Sequence, residues 1–228
     1  MPGNRSATGA GPDFGRSRLR MAQRLAQQGI RDPHVLDVMA GVPRHLFIDS
    51  ALTSRAYQDV SLPIGHGQTI SKPSIVAQMI ELAAAPIAEA DRASARVLEI
   101  GTGCGYQAAV LAGVFGEVVS IERVGALHEM AARRLRSLGL DGVRLVFGDG
   151  HLGLQHSAPF HAIVIAAALD GHIPEVLLQL LRVGGRLVSP VHLDGGQRLV
   201  MVERSTTTDW HVTELDAVRF VPMVGGTV

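Results

Sequence analysis

Between Arg96 and Pro190 short apolar runs alternate with longer amphipathic segments, and this rhythm restricts the fold more than any other feature. Arg96–Ile100, Val118–Ile121, Val143–Phe147, Ala162–Ala166 and Arg186–Pro190 predict buried strands, with helices over Tyr106–Phe115, Gly125–Leu138 and Pro174–Leu181. Strands joined through helices run parallel, because the crossover returns each strand to the same end of the sheet. The expected architecture is a Rossmann-like α/β fold with a mostly parallel sheet and helices on both faces. Arg198–Arg204 and His211–Val221 alternate polar and apolar residues, as antiparallel strands closing one edge would.

Upstream, residues 1–16 are rich in Gly, Ser, Pro and Ala and read as a disordered tail. A helix is expected from Ser17, with Leu19, Met21, Leu25 and Ile30 along one face, and a second from Pro33. Val42–Phe47 leads into a loop-like stretch ending at Ile70. Ser71 then reads as the N-cap of a helix with Pro73 in its first turn. One domain is expected over 17–228, divided into a helical, substrate-side region (17–83), an α/β core (96–191) and C-terminal strands (196–228).

The most informative segment is Val97-Leu98-Glu99-Ile100-Gly101-Thr102-Gly103-Cys104-Gly105-Tyr106, a strand running through a glycine turn into a helix. Glycines let the chain turn sharply and let a ligand approach the main chain at the helix N-terminus. A dinucleotide loop wants G-x-G-x-x-G, but here the third position is Tyr106 and the spacing is G-x-G-x-G. With Glu99 two residues ahead, that form suits S-adenosyl-L-methionine, whose sulfonium and ammonium are cations. Glu122 ends the next strand, where an acid can accept both ribose hydroxyls. Gly148-Asp149-Gly150 follows the third strand and suits the adenine amino group. These features converge at one sheet edge.

Acidic and basic residues balance at 21 each, which argues against the basic stripe of a nucleic-acid binder. Lys72 is the only lysine, a bias that codon usage accounts for. Cys104 is the only cysteine, so no internal disulfide forms, and it reads as a small packed residue rather than a catalytic thiol. The histidines show no paired-ligand spacing, so no metal is expected. No segment approaches the ~20 apolar residues of a membrane span. A soluble, cytoplasmic monomer is expected.

Leu62-Pro63-Ile64-Gly65-His66-Gly67-Gln68-Thr69-Ile70-Ser71, taken with Val97 to Gln107, resembles the protein-L-isoaspartate O-methyltransferases. Further matches are Val42-Pro43-Arg44, Gly148-Asp149-Gly150, Ala158-Pro159-Phe160, Gly184-Gly185-Arg186-Leu187-Val188 and Val218-Arg219-Phe220-Val221-Pro222. The resemblance implies a class I methyltransferase that esterifies the free α-carboxylate of L-isoaspartyl residues in proteins and peptides, the ester then collapsing to a succinimide. It implies Ser71 as the active-site hydroxyl. It assigns the donor, and its product S-adenosyl-L-homocysteine, to Thr69, Ile70, Ser71, Glu99, Gly101, Thr102, Gly103, Gly105, Tyr106, Glu122, Arg123, Asp149 and Gly150. The acceptor side falls to Thr69, Ile70, Ser71, Ala166, Ala167, Val221 and Pro222.

The chemistry agrees with that resemblance. A carboxylic acid ordinarily titrates near pH ~4, so its carboxylate is already a nucleophile at neutral pH, and positioning and water exclusion are the remaining tasks. The sequence departs from the family at Cys104 (usually Ser), at His161 and His192, and in an Ala166–Pro174 loop about one residue longer. The last three are expected to border the acceptor side. Two other readings are another carboxyl methyltransferase of this fold, and a donor-binding peptide-recognition protein with weak catalysis.

Overall fold

The computed structural model describes residues 13–152 and 154–228. Two helices come first, α1 (Phe14–Gln27) and α2 (Pro33–Gly41). Asp13 caps α1 by accepting from Arg16 N at 3.0 Å. The helix therefore starts three residues before the expected Ser17, and Phe14 stacks on the His45 ring at 3.9 Å. That stacking withdraws residues 13–16 from the proposed tail; residues 1–12 of it lie outside the described residues.

The stretch expected to be a loop up to Ile70 contains a hairpin, β1 (Leu62–Gly65) and β2 (Gln68–Ile70), paired antiparallel. His66 and its flanking glycines all have positive φ and form its tip. Then come α3 (Pro73–Ala84), β3 (Arg96–Ile100), α4 (Tyr106–Val114), β4 (Glu117–Glu122), α5 (Gly125–Ser137), β5 (Val143–Phe147) and β6 (Phe160–Ile165). The chain closes with β7 (Leu169–Asp170), α6 (Glu175–Leu178), β8 (Leu181–Leu193), β9 (Gly196–Arg204) and β10 (Trp210–Ala217). The expected helix over Pro174–Leu181 is thus a single turn, because β8 takes up the chain from Leu181.

The large sheet has the order β10-β9-β8-β6-β3-β4-β5, with β7 also on β8. All pairs from β8 to β5 are parallel; β9 and β10 are antiparallel. Alternation along each strand sends side chains to two apolar layers. Val97, Val118, Ala162, Val164 and Val188 share one layer with α1 to α4, while Leu98, Ile100, Val119, Ile121, Ile163 and Ile165 face the other, with Leu177 of α6. Helices therefore cover both faces, one far more heavily.

The chain leaves β3 for β4 and β5 on one side, then crosses back to β6 on the other. That reversal opens a crevice at the carboxyl ends of β3 and β6, where open α/β sheets bind ligands.

Candidate active site

A cleft of about 830 Å³ occupies this crevice. Its floor is the glycine loop. Gly101 has φ of 96°, and a Cβ there would lie 3.4 Å from Ala166 Cβ, so the side-chain-free backbone keeps the loop against the exit of β6. Gly103 has φ of 55° and a Cβ on it would sit 3.2 Å from Ile64 Cδ1 of the hairpin. The loop is pinned from below: Gly101 N and Thr102 N both donate to Ile121 O, at 2.9 and 3.2 Å. It is pinned from the side as well, since Thr102 Oγ1 lies 2.5 Å from Ser120 Oγ.

Glu122 ends β4 in the cleft wall, nearly buried. One oxygen accepts from Gly103 N at 2.7 Å and the other from Val124 N at 2.9 Å. A carboxylate has about four acceptor sites, so each oxygen keeps one for a ligand hydroxyl. Glu122 thus joins two strand-end loops and still faces the cleft.

Fourteen of the residues anticipated from sequence line the cleft: Thr69, Ile70, Ser71, Gly101, Thr102, Gly103, Tyr106, Glu122, Arg123, Gly150, Ala166, Ala167, Val221 and Pro222. Three stand apart from its lining. Gly105 is the left-handed N-cap of α4, packed on Ala131 of α5. Glu99 is fully buried behind the loop, because the penultimate residue of β3 points to the face covered by α1 to α4, as Val97 does. There it accepts from Ser120 Oγ, while its other oxygen and the nearby Gln107 Nε2 have no partner among the described residues. Burial pushes its pKa up to about 8, only partly offset by Ser120.

Asp149 faces the chain end instead of the cleft. It accepts from Gly226 N at 2.6 Å and from His151 N at 2.9 Å. Burial raises its pKa, but these bonds outweigh it and hold the carboxyl below its usual value. The Arg123 guanidinium turns the same way and donates to Gly226 O at 2.7 Å. Tyr106 touches the cleft, but its ring is buried under Arg44, whose guanidinium lies 4.8 Å from the ring centre, and its hydroxyl donates to Met39 Sδ.

The hairpin lays Thr69 and Ile70 over the loop, followed directly by Ser71. Ser71 is not the helix cap that its spacing suggested: Lys72 holds that position, and Asp59 serves the first turn by accepting from Ser74 N and Oγ, each at 2.8 Å. The hydroxyl of Ser71 is therefore released from local duty. Across from it, Ala168 N donates to Val221 O at 2.8 Å and Met223 N to Ala168 O at 2.7 Å, fixing the Val221–Pro222 wall. Cys104 is buried, and burial pushes its thiol pKa up, in keeping with a packed small residue.

Sequence reasoning missed Ile64, Gln68 and the apolar wall of Ile100, Ile121, Met223 and Val224. Ile100 ends β3 and Ile121 is the penultimate residue of β4, and those positions beside the loops were their signal. Met223 and Val224 carried none. His161, expected near the acceptor, lies at the opposite edge: it is the second residue of β6 and accepts from Arg96 N at 3.1 Å. The lengthened Ala166–Pro174 segment is ordered by β7, where Leu169 pairs with Val191 and Asp170 with His192. Among the described residues no three His, Cys, Asp or Glu side chains gather as a metal site, and no helix is long and apolar enough to cross a membrane.

A switch-point crevice with a G-x-G-x-G floor, an acid at the end of the second strand and a glycine turn after the third defines a class I S-adenosylmethionine-dependent methyltransferase domain. The model of the Protein-L-isoaspartate(D-aspartate) O-methyltransferase family matches residues 16–228, and this chain belongs to that family. It is 54% identical over 216 residues to the protein-L-isoaspartate O-methyltransferase of Burkholderia vietnamiensis, covering 93% of this chain and 68% of that relative. The corresponding protein of Burkholderia mallei is also 54% identical, over 93% of this chain and 65% of its own length. The chain thus spans about two thirds of these curated relatives. A solved protein-L-isoaspartate O-methyltransferase superposes with a TM-score of 0.80 at 29% identity, over 91% of this chain and 66% of the other. A Plasmodium falciparum structure, described as a putative member in complex with S-adenosyl-L-homocysteine, gives 0.78 at 23% identity over 91% of this chain and 98% of its own, and bears on the fold.

Proposed function

We propose that this chain transfers a methyl group from S-adenosyl-L-methionine to the free α-carboxylate of L-isoaspartyl residues in damaged proteins and peptides. The observation that carries this reading is the release of Ser71 from capping, which leaves a neutral hydroxyl at the mouth of the donor cleft between the hairpin and the Val221–Pro222 wall.

The residues present fit the donor. The glycine floor admits a ligand to the main chain, and Glu122 keeps free acceptor sites for a ribose diol. When bound, the donor supplies an electrophilic methyl carbon. Gly148 and Gly150 form the adenine end beside the apolar Ile121 and Met223, and Glu99 contributes from behind the loop as a buried acid rather than as a direct contact. In this reading Asp149 and Arg123 act on the donor through the segment they hold around Gly226.

The acceptor carboxylate is ionised at neutral pH and needs no base. Ser71 donates to one of its oxygens and leaves the other free to attack. The Ala166–Ala167 backbone and the Val221–Pro222 wall narrow the cleft and exclude water. Orientation of this kind is worth up to roughly 7–11 kcal/mol.

An isoaspartyl residue carries its α-carboxylate on a shorter arm than the side chain of aspartate, with the backbone rerouted. A pocket matched to the first misplaces the second by about one methylene, and misplacement of ~1 Å costs about a hundredfold in rate. Matched L-isoaspartyl and L-aspartyl peptides should therefore differ at least a hundredfold in kcat/KM. Equal rates would replace this reading with a broader carboxyl methyltransferase.

A further inference from the structure

Ser71 borders two cavities. Besides the donor cleft, it lines a groove of about 790 Å³ whose other walls are Ser61, Lys72, Ile75 and Ala217–Phe220. The wall opposite Ser71 is continuous: residues 217–220 flank the groove and 221–224 flank the cleft. It is also stiff. Gln197 accepts from Phe220 N at 2.6 Å and donates to Phe220 O at 3.0 Å, and Val218 N donates to Gln197 O at 3.0 Å.

The groove carries two cations, the chain's single lysine and Arg219, both exposed and neither in an ion pair among the described residues. The acids of neighbouring elements are engaged elsewhere, Asp59 with Ser74 and Asp216 with the Gln78 amide. Neither lines the groove. Its walls combine apolar side chains, Ile75 and Phe220, with two cations and no acidic lining residue among the described residues.

We propose that this groove receives the acceptor polypeptide as it runs on from the modified residue, and that Lys72 and Arg219 make the enzyme prefer chains with an acidic side chain on that flank. This rests on the isoaspartyl reading above. Consecutive Cα atoms are about 3.8 Å apart, so a carboxylate held at Ser71 places a side chain one or two residues away within reach of Lys72. A lysine ammonium and an arginine fork both donate to a carboxylate, at modest desolvation cost on an exposed wall. Exposed pairs of this kind alter binding by roughly two- to fivefold each and weaken with salt.

The test is kcat/KM for isoaspartyl heptapeptides bearing Glu, Gln or Lys two residues before, and in a second set two residues after, the modified position. On one flank the Glu peptide should exceed the Gln peptide by about fivefold, mainly through KM, with the Lys peptide poorest. The Glu-to-Gln ratio should fall toward one in the Lys72→Gln, Arg219→Gln double variant. In Lys72→Glu the Lys peptide should overtake the Glu peptide. These ratios can be read on any residual activity, so a general loss of turnover does not obscure them. Equal rates for all three side chains on both flanks, or a preference that survives the double variant, overturns the groove assignment while leaving the isoaspartyl reading intact. If no isoaspartyl peptide is methylated by donor-loaded enzyme, the isoaspartyl reading fails and this inference with it.

Discussion

Replacing Glu122 tests the donor site at its most connected point. Glu122 is only 5% exposed, and its carboxylate accepts from two backbone N–H groups, Gly103 N at 2.7 Å and Val124 N at 2.9 Å. Glu122→Gln keeps the shape but replaces one oxygen by a donor that meets one of those N–H groups head on. Leaving one buried donor unsatisfied costs the fold about 1–3 kcal/mol, with or without ligand, and lowers the melting temperature rather than the affinity. Affinity itself falls because a hydrogen bond from a ligand hydroxyl to a charged acceptor contributes ~1.5–3 kcal/mol, and the variant loses the charge. Since ~1.4 kcal/mol is tenfold in affinity, donor binding should weaken at least tenfold in Glu122→Gln and about a hundredfold in Glu122→Ala. Calorimetric titration with S-adenosyl-L-homocysteine measures this, and thermal melts without ligand separate it from unfolding. Unchanged affinity in the alanine variant would refute the role of Glu122, because no other acid lines the cleft among the described residues.

Ser71→Ala should lower kcat on an isoaspartyl peptide at least tenfold, equivalent to one lost hydrogen bond to a charged group of ~1.5–3 kcal/mol, while Ser71→Thr keeps most of it and donor affinity stays within a factor of two or so in both. Full turnover in the alanine variant would remove Ser71 from the reaction. Glu99, with a folded pKa of about 8 against an ordinary value of 4.5, binds more protons folded than unfolded between those pH values. Its stabilising share is complete below 4.5 and lost as pH rises toward 8, at up to about 1.4 kcal/mol per pH unit. Urea melts at pH 5 and pH 8 should show that slope in the wild type and a flatter one in Glu99→Gln; identical slopes would place the Glu99 carboxyl in a more polar setting than its burial indicates.

What this sequence determined by itself lies in contiguous stretches. The alternation of apolar runs with helical segments placed β3 to β6 and α4 and α5 within a few residues of their bounds, because strand and helix periods are local properties of the chain. The glycine loop and Glu122 were legible for the same reason. A positive φ at Gly101 and an acid at the end of a strand are set by the residues themselves and their immediate neighbours. Tertiary structure decided the rest. Ser71 has the residue type and spacing of an N-cap, yet Asp59, which precedes the whole hairpin, serves that helix and frees the hydroxyl. Glu99 and Asp149 looked like ligand contacts, but strand alternation buries the first behind the loop and Gly226 draws the second toward the chain end. His161 looked close to the acceptor until the parallel sheet put the start of β6 at the opposite edge. The second groove could not be read from sequence at all. Its walls come from segments more than a hundred residues apart, and only tertiary packing, which joins Gln78 of α3 to Asp216 of β10, puts Lys72 and Arg219 on the same opening.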